Sequence, residues 1–323
     1  MTDALLDVRK LQVHFPVRKG FLRRTKGYVR AVDGVSFSIA KGETFGLVGE
    51  SGCGKSTTGR AVLHLIRPTG GQVLFDGVDL ASLNPAQMRA RRKDMQMVFQ
   101  DPYASLNPRM TIEEILEEPL KAHQIGGDPA ERKQKIAEML EVCGLNRSYL
   151  KRYAHEFSGG QRQRICIARA LILKPKLIVA DEPVSALDVS IQSQILNLLQ
   201  DLQDEFQLTY LFISHDLAVV HHLCTRLGVM YLGRMAEIGS AESIYSNPLH
   251  PYTQSLLSAI PVANPHMKRE RILLKGEVPS AANPPQGCAF VTRCPKAMEI
   301  CQVKRPPLME AAPDHLVACH LFN

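Results

Sequence analysis

The sequence of 323 residues lacks any apolar run long enough to cross a membrane. No stretch approaches the roughly 18 consecutive apolar residues that a spanning helix needs. The N-terminal segment MTDALLDVRK also lacks the basic region followed by an apolar region that is typical of a secretion signal. We therefore expect a cytosolic chain, and any role at a membrane would have to come through partner subunits.

Cysteine is scarce as well. Eight cysteines in 323 residues are too few for a scaffold held together by disulfides. The composition is otherwise that of a globular protein, with 45% apolar and 22% charged residues, and it is not that of a disordered chain. The net charge of +7 favours an anionic partner. Nucleic acid, an anionic membrane surface and a polyphosphate would each satisfy it.

Short apolar strands alternate with helical segments, and this pattern predicts an α/β fold with a parallel sheet. The expected strands are at residues 5–15, 31–40, 44–49, 72–75, 95–99, 177–180 and 210–213. The expected helices are at residues 55–66, 112–145, 165–173 and 191–206. The basic segment PVRKGFLRRTKGYVR between the first two strands is expected to be a loop or an extended hairpin. Prolines crowd residues 255–323, which predicts a small, loop-rich appendage.

The clearest motif is a glycine-rich turn that matches the pattern G-x-x-x-x-G-K-[ST]. With the residue after it, the turn consists of Gly49, Glu50, Ser51, Gly52, Cys53, Gly54, Lys55, Ser56 and Thr57. Its backbone N–H groups can surround phosphate oxygens, Lys55 can reach the β- and γ-phosphates, and the Ser56 hydroxyl can bind Mg²⁺. The alternative is a plain glycine-rich turn. The strand before the motif and the helix after it favour a site for ATP and Mg²⁺.

Two further segments belong with this motif. The apolar strand Leu177–Ala180 ends in Asp181, which suits a carboxylate that orients Mg²⁺, and in Glu182, which could activate the attacking water. Ser158 and the residues after it begin a helix and form a second possible anion site. An N-capped helix without a ligand is the alternative. Two such loops make sense if each serves a different nucleotide across a dimer interface.

Taken in order, these motifs resemble those of ABC-type ATPases over roughly residues 5–250. The correspondences are Gly49–Ser56 with Walker A, Gln100 with the Q-loop, Ser158–Gln161 with the signature, Asp181 and Glu182 with Walker B, Ser185–Asp188 with the D-loop, and His215 with the switch histidine. The resemblance implies a parallel-sheet core, an antiparallel β subdomain and a helical subdomain at about 101–170. It places the ATPase domain at residues 1–254 and an extension at 255–323.

The resemblance also implies roles for these residues. Glu182 would be the general base, and His215 would hold the γ-phosphate and the attacking water. Gln100 and Asp181 would join Ser56 at Mg²⁺. The signature residues, which are Ser158, Gly159, Gly160 and Gln161, and Asp188 of the D-loop would serve the dimer interface. Adenine is expected to stack on Phe15 or Tyr28, with the strand position favouring Phe15 slightly.

Longer strings narrow the resemblance to the ATPases of dipeptide and oligopeptide importers. They include FQDPYASLNPRMT, RYAHEFSGGQRQRI and GEVPSAANPPQGCAFVTRCP. The chain looks most like the second of two paralogous subunits, the dipeptide "F" type. This implies a heterodimer with the paralogue, two transmembrane permease subunits docked near residues 100–109, and an extracytoplasmic substrate-binding protein. The location would be the cytoplasmic face of the plasma or inner membrane.

Other functions stay open at this point. Closely similar ATPases serve importers of nickel, glutathione and other small solutes. A soluble ABC ATPase acting on nucleic acid or ribosomes would suit the basic charge, but the chain has one ATPase domain and no aromatic–basic platform for bases. A binding module without catalysis is opposed by Glu182 and His215. We therefore expect an ATPase of peptide import that does not bind nucleic acid.

Four cysteines cluster near the C-terminus with the spacing C-x5-C-x6-C-x17-C: Cys288, Cys294, Cys301 and Cys319. They could bind Zn²⁺, although C-x2-C pairs would be more usual. They could ligate a [4Fe–4S] cluster, which also takes four thiolates, or they could be free or form disulfides. The subfamily resemblance favours the iron–sulfur cluster over zinc, with a structural role in an appendage that has little apolar content.

Overall fold

The computed structural model describes residues 4–19, 24–260 and 271–322. The strands are β1 (Ala4–Lys19), β2 (Arg24–Ala40), β3 (Thr44–Val48), β4 (Gly70–Phe75), β5 (Val78–Asp79), β6 (Met95–Val98), β7 (Leu177–Asp181), β8 (Thr209–Ser214), β9 (Arg226–Tyr231), β10 (Arg234–Ser240), β11 (Met309–Ala312) and β12 (His315–Val317). The helices are α1 (Lys55–Val62), α2 (Pro85–Arg92), α3 (Pro102–Ser105), α4 (Ile112–Ala122), α5 (Pro129–Val142), α6 (Gly159–Leu171), α7 (Val189–Phe206), α8 (Leu217–Leu223), α9 (Ala241–Ser246), α10 (Pro251–Ser258) and α11 (Glu299–Val303).

The chain divides into two compact units. The first contains the residues up to 40, residues 44–81 and the residues from 212 onward, and the second contains residues 41–43 and 82–211. Within the described ranges, no helix is both long enough and apolar enough to cross a membrane.

An antiparallel sheet with the order β2-β1-β4-β5 forms one part of the first unit. Most of it is the hairpin of β1 and β2, whose register runs from Ala4 opposite Ala40 to Lys19 opposite Arg24. The basic segment therefore extends the hairpin instead of forming a loop, although its residues 20–23 lie outside the described residues. Apolar side chains of both strands are buried, and the expected antiparallel β subdomain is confirmed.

A second sheet of the first unit has the order β11-β12-β10-β9-β3, with β8 next to β3. The pair β3 and β9 is parallel, from Phe45 opposite Arg226 to Val48 opposite Val229. Every residue of β3 is buried, which explains why this strand reads as a continuous apolar run. The strands β11 and β12 come from the C-terminal appendage and cover the edge of β10, a pairing that the proline-rich sequence did not predict.

A buried carboxylate joins the appendage to β10. Glu237 is fully buried and accepts hydrogen bonds from the backbone N–H groups of Leu249 and His250, at 2.7 Å and 3.0 Å. His315 of β12 lies 2.6 Å from the same carboxylate, from Nε2 to Oε1. His250 in turn caps α10, because its Nδ1 accepts the N–H of Tyr252 at 3.0 Å. The segment that leads into the appendage and a strand near the end of the appendage are therefore held by the same carboxylate of β10.

The second unit contains the parallel pair β6 and β7, from Met95 opposite Leu177 to Val98 opposite Ala180, together with α2–α7. The single helical segment expected at residues 112–145 is two helices, α4 and α5. The chain turns between them where Gln124 and Gly126 have φ of 55° and 72°. Asp128 then caps α5, and Pro129 occupies its first turn. The α/β fold with parallel strands and separate helices is confirmed.

Candidate functional site

The glycine-rich turn follows β3 and leads into α1, all within the first unit. Gly49, Gly52 and Gly54 have φ of 151°, 79° and 105°, in the region that glycine tolerates. A Cβ atom on Gly49 would lie 2.2 Å from the carbonyl oxygen of Met230, and one on Gly54 would lie 2.1 Å from that of Ala31. The turn can follow this path only with glycine at both positions.

Lys55 begins α1 with its side chain folded back across the turn. Its Nζ donates hydrogen bonds to the carbonyl oxygens of Gly49 at 2.8 Å and Glu50 at 3.0 Å, and the residue is only 4% exposed. The residue that caps α1 is Gly54, so no side chain covers the first N–H groups of the helix. A buried ammonium group beside the positive end of a helix dipole makes this turn a strong site for phosphate oxygens.

Residues far along the chain support the turn from outside. The Arg293 guanidinium donates two hydrogen bonds to the Glu50 carboxylate, at 2.8 Å and 3.2 Å. The N–H of Glu50 donates to the hydroxyl of Tyr252 at 2.8 Å. Neither Arg293 nor Tyr252 was expected at the site. No signal in the sequence could have identified them, because each lies more than 200 positions from Glu50.

The two candidate adenine platforms lie on the hairpin of β1 and β2. Phe15 is opposite Val29, and Tyr28 is opposite Pro16. Residues directly opposite each other share a face and neighbours along a strand alternate, so Phe15 and Tyr28 lie on opposite faces of the hairpin. Both rings are exposed, at 41% and 53%. The hairpin therefore offers one aromatic ring on each face, and they cannot stack on the same adenine.

His215 directly follows β8 and is exposed. Its position is defined by a tight turn, in which the N–H of Asp216 donates to the Ser214 hydroxyl at 3.0 Å. Asp216 then caps α8 by accepting the N–H of Ala218 at 2.8 Å. The imidazole consequently lies at the carboxyl end of a buried strand, where ligands bind in open α/β sheets.

Gln100 and Glu182 meet in the second unit. Gln100 lies just after β6 and Glu182 just after β7, and parallel strands bring their carboxyl ends to the same edge. The Gln100 amide donates to the Glu182 carboxylate at 2.8 Å. Asp181 is the last residue of β7 and is 1% exposed. Glu182 has φ of 47°, an unusual conformation that directs the chain sharply away from the strand.

The signature residues form the start of α6, also in the second unit. The Ser158 hydroxyl accepts the N–H of Gln161 at 3.4 Å, and the Gln161 side chain accepts the N–H of Ser158 at 3.1 Å. This capping box fixes the first turn of the helix. Gly159 lies against the D-loop, since a Cβ on it would be 3.3 Å from the Leu187 side chain, and a Cβ on Gly160 would be 2.6 Å from the Ile191 side chain of α7. Asp188 immediately precedes α7 and is exposed.

The four C-terminal cysteines line one small cavity together with apolar side chains that include Phe290, Val291 and Met298. Burial raises the pKa of Cys288 to about 11 and also raises the pKa of Cys294 and Cys319, so these groups stay protonated thiols at neutral pH. Among the residues that the structure describes, no group of three or more histidine, cysteine or acidic side chains could hold a metal ion. The thiols share a cavity, but their arrangement does not fit the expected iron–sulfur or zinc site.

Comparison with known families identifies two regions. Residues 32–185 match the model described as ABC transporter, and residues 236–301 match the model described as oligopeptide/dipeptide transporter, C-terminal region. The chain is 58% identical to the oligopeptide transport ATP-binding protein AppF of Bacillus subtilis, over 99% of this chain and 98% of the relative. It is 56% identical to a putative peptide import ATP-binding protein of Brucella ovis, over 99% of this chain and 98% of that protein.

Solved structures with a similar fold include CbiO1 from Clostridium perfringens, which is part of the ABC transporter complex CbiONQ. The TM-score is 0.64 at 25% identity, over 76% of this chain and 92% of CbiO1. The ATP-binding cassette MJ0796, solved as a dimer bound to ADP and phosphate, gives a TM-score of 0.64 at 27% identity. That match covers 73% of this chain and 98% of the cassette.

Proposed function

This chain belongs to the family of ATP-binding subunits of ABC transporters, in its oligopeptide and dipeptide branch, and we propose that it powers the import of short peptides by hydrolysing ATP. The main support is the extent of the similarity to known transporter families, which includes the C-terminal region as well as the ATPase motifs. Relatives that are 56–58% identical over 99% of the chain are named for oligopeptide transport or peptide import.

The substrate of the site is ATP with its Mg²⁺. Lys55 and the N–H groups at the start of α1 would bind the β- and γ-phosphates, because the ammonium can exchange its carbonyl partners for phosphate oxygens. Ser56 would bind Mg²⁺, and Gln100 and Asp181 would complete the metal's protein partners. These residues supply the oxygen ligands that Mg²⁺ prefers.

Glu182 would be the general base that orients and deprotonates the attacking water. Its hydrogen bond from Gln100 supports this role, since an amide donor steadies a carboxylate that must aim at one water molecule. His215 would hold the γ-phosphate and the same water. As in phosphoryl transfer generally, the barrier is lowered mainly by positioning and by neutralising charge on the transferred group.

Each nucleotide is proposed to lie between two ATPase subunits, with Ser158, Gly159, Gly160 and Gln161 acting on the nucleotide of the opposite subunit. The exposed start of α6, with its glycines and helix dipole, supports this role. Asp188 would lie at the same interface. The proposed partner is a paralogous ATPase subunit, and Gln100, Glu182 and His215 are the catalytic residues proposed for this chain.

Two membrane permease subunits and a substrate-binding protein complete the proposed transporter, at the cytoplasmic face of the membrane. The segment from Gln100 to Arg109 is proposed to receive the permeases. Tyr103 in this segment is 60% exposed, with the Arg162 guanidinium 3.9 Å from its ring centroid. An aromatic ring presented by an arginine of the signature helix would link a docked permease to the opposite nucleotide.

Ligation of a [4Fe–4S] cluster, or of Zn²⁺ in its place, by Cys288, Cys294, Cys301 and Cys319 stays a prediction of the sequence. The shared cavity supports it, while the lack of any metal-holding group among the residues that the structure describes opposes it. Anaerobic purification followed by iron, sulfide and zinc analysis tests it. One cluster per chain that is lost in a Cys301→Ser variant would establish the site, and metal-free protein of full stability would end the prediction.

The function is tested by purifying the tagged chain from its native membrane in mild detergent. Two polytopic membrane proteins and a second ATPase are expected to accompany it. Transport of dipeptides by the reconstituted complex would separate peptide import from import of nickel or glutathione. Ribosomes or nucleic acid without membrane proteins would instead indicate a soluble ABC ATPase and overturn the proposal.

A Glu182→Gln variant of the complex tests the chemical step. We expect ATP to be trapped between the two subunits and turnover to fall by at least about 100-fold, because loss of a general base typically costs that much. The matched control is Glu205→Gln, a change on an exposed side chain of α7. Normal turnover by Glu182→Gln would show that another group activates the water.

A further inference from the structure

Glu50 is the second residue of the phosphate loop, and three parts of it are held at once. Its carboxylate accepts two hydrogen bonds from Arg293, at 2.8 Å and 3.2 Å. Its N–H donates to the Tyr252 hydroxyl at 2.8 Å. Its carbonyl oxygen accepts the Lys55 ammonium at 3.0 Å. The position of this single residue is therefore linked directly to that of the lysine that would bind phosphate.

The contact between Arg293 and Glu50 has the geometry of a strong ion pair. Both terminal nitrogens of the guanidinium point at the two carboxylate oxygens, an arrangement that fixes direction as well as distance. The Arg293 side chain is 10% exposed and that of Glu50 is 28% exposed. This pair is better shielded from water than an ordinary surface pair, whose contribution is usually small.

Tyr252 belongs to an aromatic cluster with Tyr231 and Phe290, and Arg293 contacts this cluster. The ring centroid of Tyr252 is 4.7 Å from that of Tyr231 and 5.4 Å from that of Phe290. The N–H of Arg293 donates to the carbonyl oxygen of Phe290 at 3.0 Å. Because Tyr252 is fully buried, its hydroxyl has little freedom to move. Packing in this cluster therefore restricts both residues that hold Glu50, Arg293 and Tyr252.

We propose that Arg293, in the C-terminal appendage, is a positioning residue for the phosphate loop. It holds Glu50, and through Glu50 the hydrogen bonds of Lys55, in the arrangement that receives the ATP phosphates. This inference rests on the proposed ATPase function and deepens it. The appendage then forms part of the nucleotide site and is more than an accessory attached to a complete ATPase.

The effect should fall on ATP binding more than on the chemical step. Arg293 touches the loop that cradles the phosphates, whereas the groups proposed to act on water are Glu182 and His215. Loss of Arg293 would let the turn at Glu50 relax and would leave the N–H groups of the loop misaligned. We expect KM for ATP to rise while kcat changes by less than about threefold, a split typical of lost ground-state binding.

The first experiment measures equilibrium binding of MgATP to the full chain. We expect an Arg293→Met variant to bind about tenfold more weakly than wild type, equivalent to about 1.4 kcal/mol at 25 °C. Arg293→Lys should recover part of this loss, because it keeps the charge but not the paired geometry. The matched control is Arg305→Met, which removes another arginine of the appendage and should change affinity by less than about twofold.

A double-mutant cycle separates positioning from a general loss of folding. Glu50→Gln leaves the appendage intact and should itself weaken binding severalfold. Adding Arg293→Met to Glu50→Gln should then cost little more, because the partner is already altered. Fully additive losses, or an unchanged affinity in Arg293→Met, would overturn the inference. If wild type binds no ATP while thermally stable, the proposed function itself fails, so the two failures are distinguishable.

Discussion

Acid should destabilise the segment that leads into the C-terminal appendage, and His250 is the group responsible. The residue is 3% exposed, and burial lowers the pKa of its imidazole from an ordinary value of 6.5 to about 4, against a smaller opposing effect of Glu237. The neutral ring is also the form that the fold needs. Its Nδ1 accepts the N–H of Tyr252, which a protonated ring could not do.

The direction of the pH effect follows from proton binding. Between pH 6.5 and about 4 the unfolded chain carries a proton on His250 and the folded chain does not, so stability falls as the pH falls through this range. The loss begins near pH 6.5 and is complete near pH 4. With one pKa unit equal to about 1.4 kcal/mol, the expected loss at about pH 5 is roughly 2 kcal/mol relative to neutral pH.

The measurement compares urea unfolding of wild type with a His250→Asn variant at neutral pH and at about pH 5. Asparagine can still cap α10 with its side-chain oxygen but cannot take up a proton. The free energy of unfolding of wild type should therefore fall by about 2 kcal/mol more than that of the variant. His222→Asn, which changes an exposed histidine, should behave as wild type does. Equal acid sensitivity of wild type and His250→Asn would refute the reasoning.

Two further predictions concern the nucleotide site. Gly54→Ala should abolish ATP binding, and Gly52→Ala should weaken it less. A Cβ on Gly54 would lie 2.1 Å from the backbone oxygen of Ala31, whereas one on Gly52 would have no atom within 4 Å. Isothermal titration with MgATP measures both affinities, and equal losses would contradict the prediction. Only one of Phe15→Ala and Tyr28→Ala should weaken ATP binding, by about 1–3 kcal/mol as for other base-stacking contacts, because the two rings lie on opposite faces of the hairpin. Comparable losses in both variants would show that the alternation of faces does not decide adenine stacking.

The sequence predicted the parts of the fold that depend on local patterns. The apolar run at residues 177–180 and the glycine-rich turn after β3 each carry their structural signal within a few residues. The boundary between α4 and α5 was missed, because periodicity in apolar residues continues across it while a positive φ at Gln124 turns the chain. Strands β11 and β12 were missed for a different reason. β11 pairs with β12, and the pairing of β12 with β10 depends on an edge that is more than 70 positions away.

The candidate site divides in the same way. Gly49, Lys55, Asp181 and Glu182 could be identified because phosphate and Mg²⁺ chemistry requires particular residue types at short spacings. The four cysteines could be grouped by spacing, but spacing could not show whether their thiols gather around a metal. Burial raises the pKa of the Cys288, Cys294 and Cys319 thiols, and this property depends on neighbours such as Phe290 that the spacing does not include.

Arg293 lies at the limit of what a sequence can show. Between two cysteines in a proline-rich segment, an arginine has every local attribute of a solvated surface cation. Its partner, Glu50, occupies a position in the glycine-rich pattern where any residue is allowed. Only the fold brings them together. β12 and Glu237 attach the appendage to β10, and Phe290 of the appendage packs on Tyr252 in the aromatic cluster. A domain that ended at residue 254 would therefore contain Tyr252 but lack Arg293, although both residues hold Glu50 of the phosphate loop. The residues that support the ATP site therefore extend further along the chain than the sequence motifs by which the site is recognised.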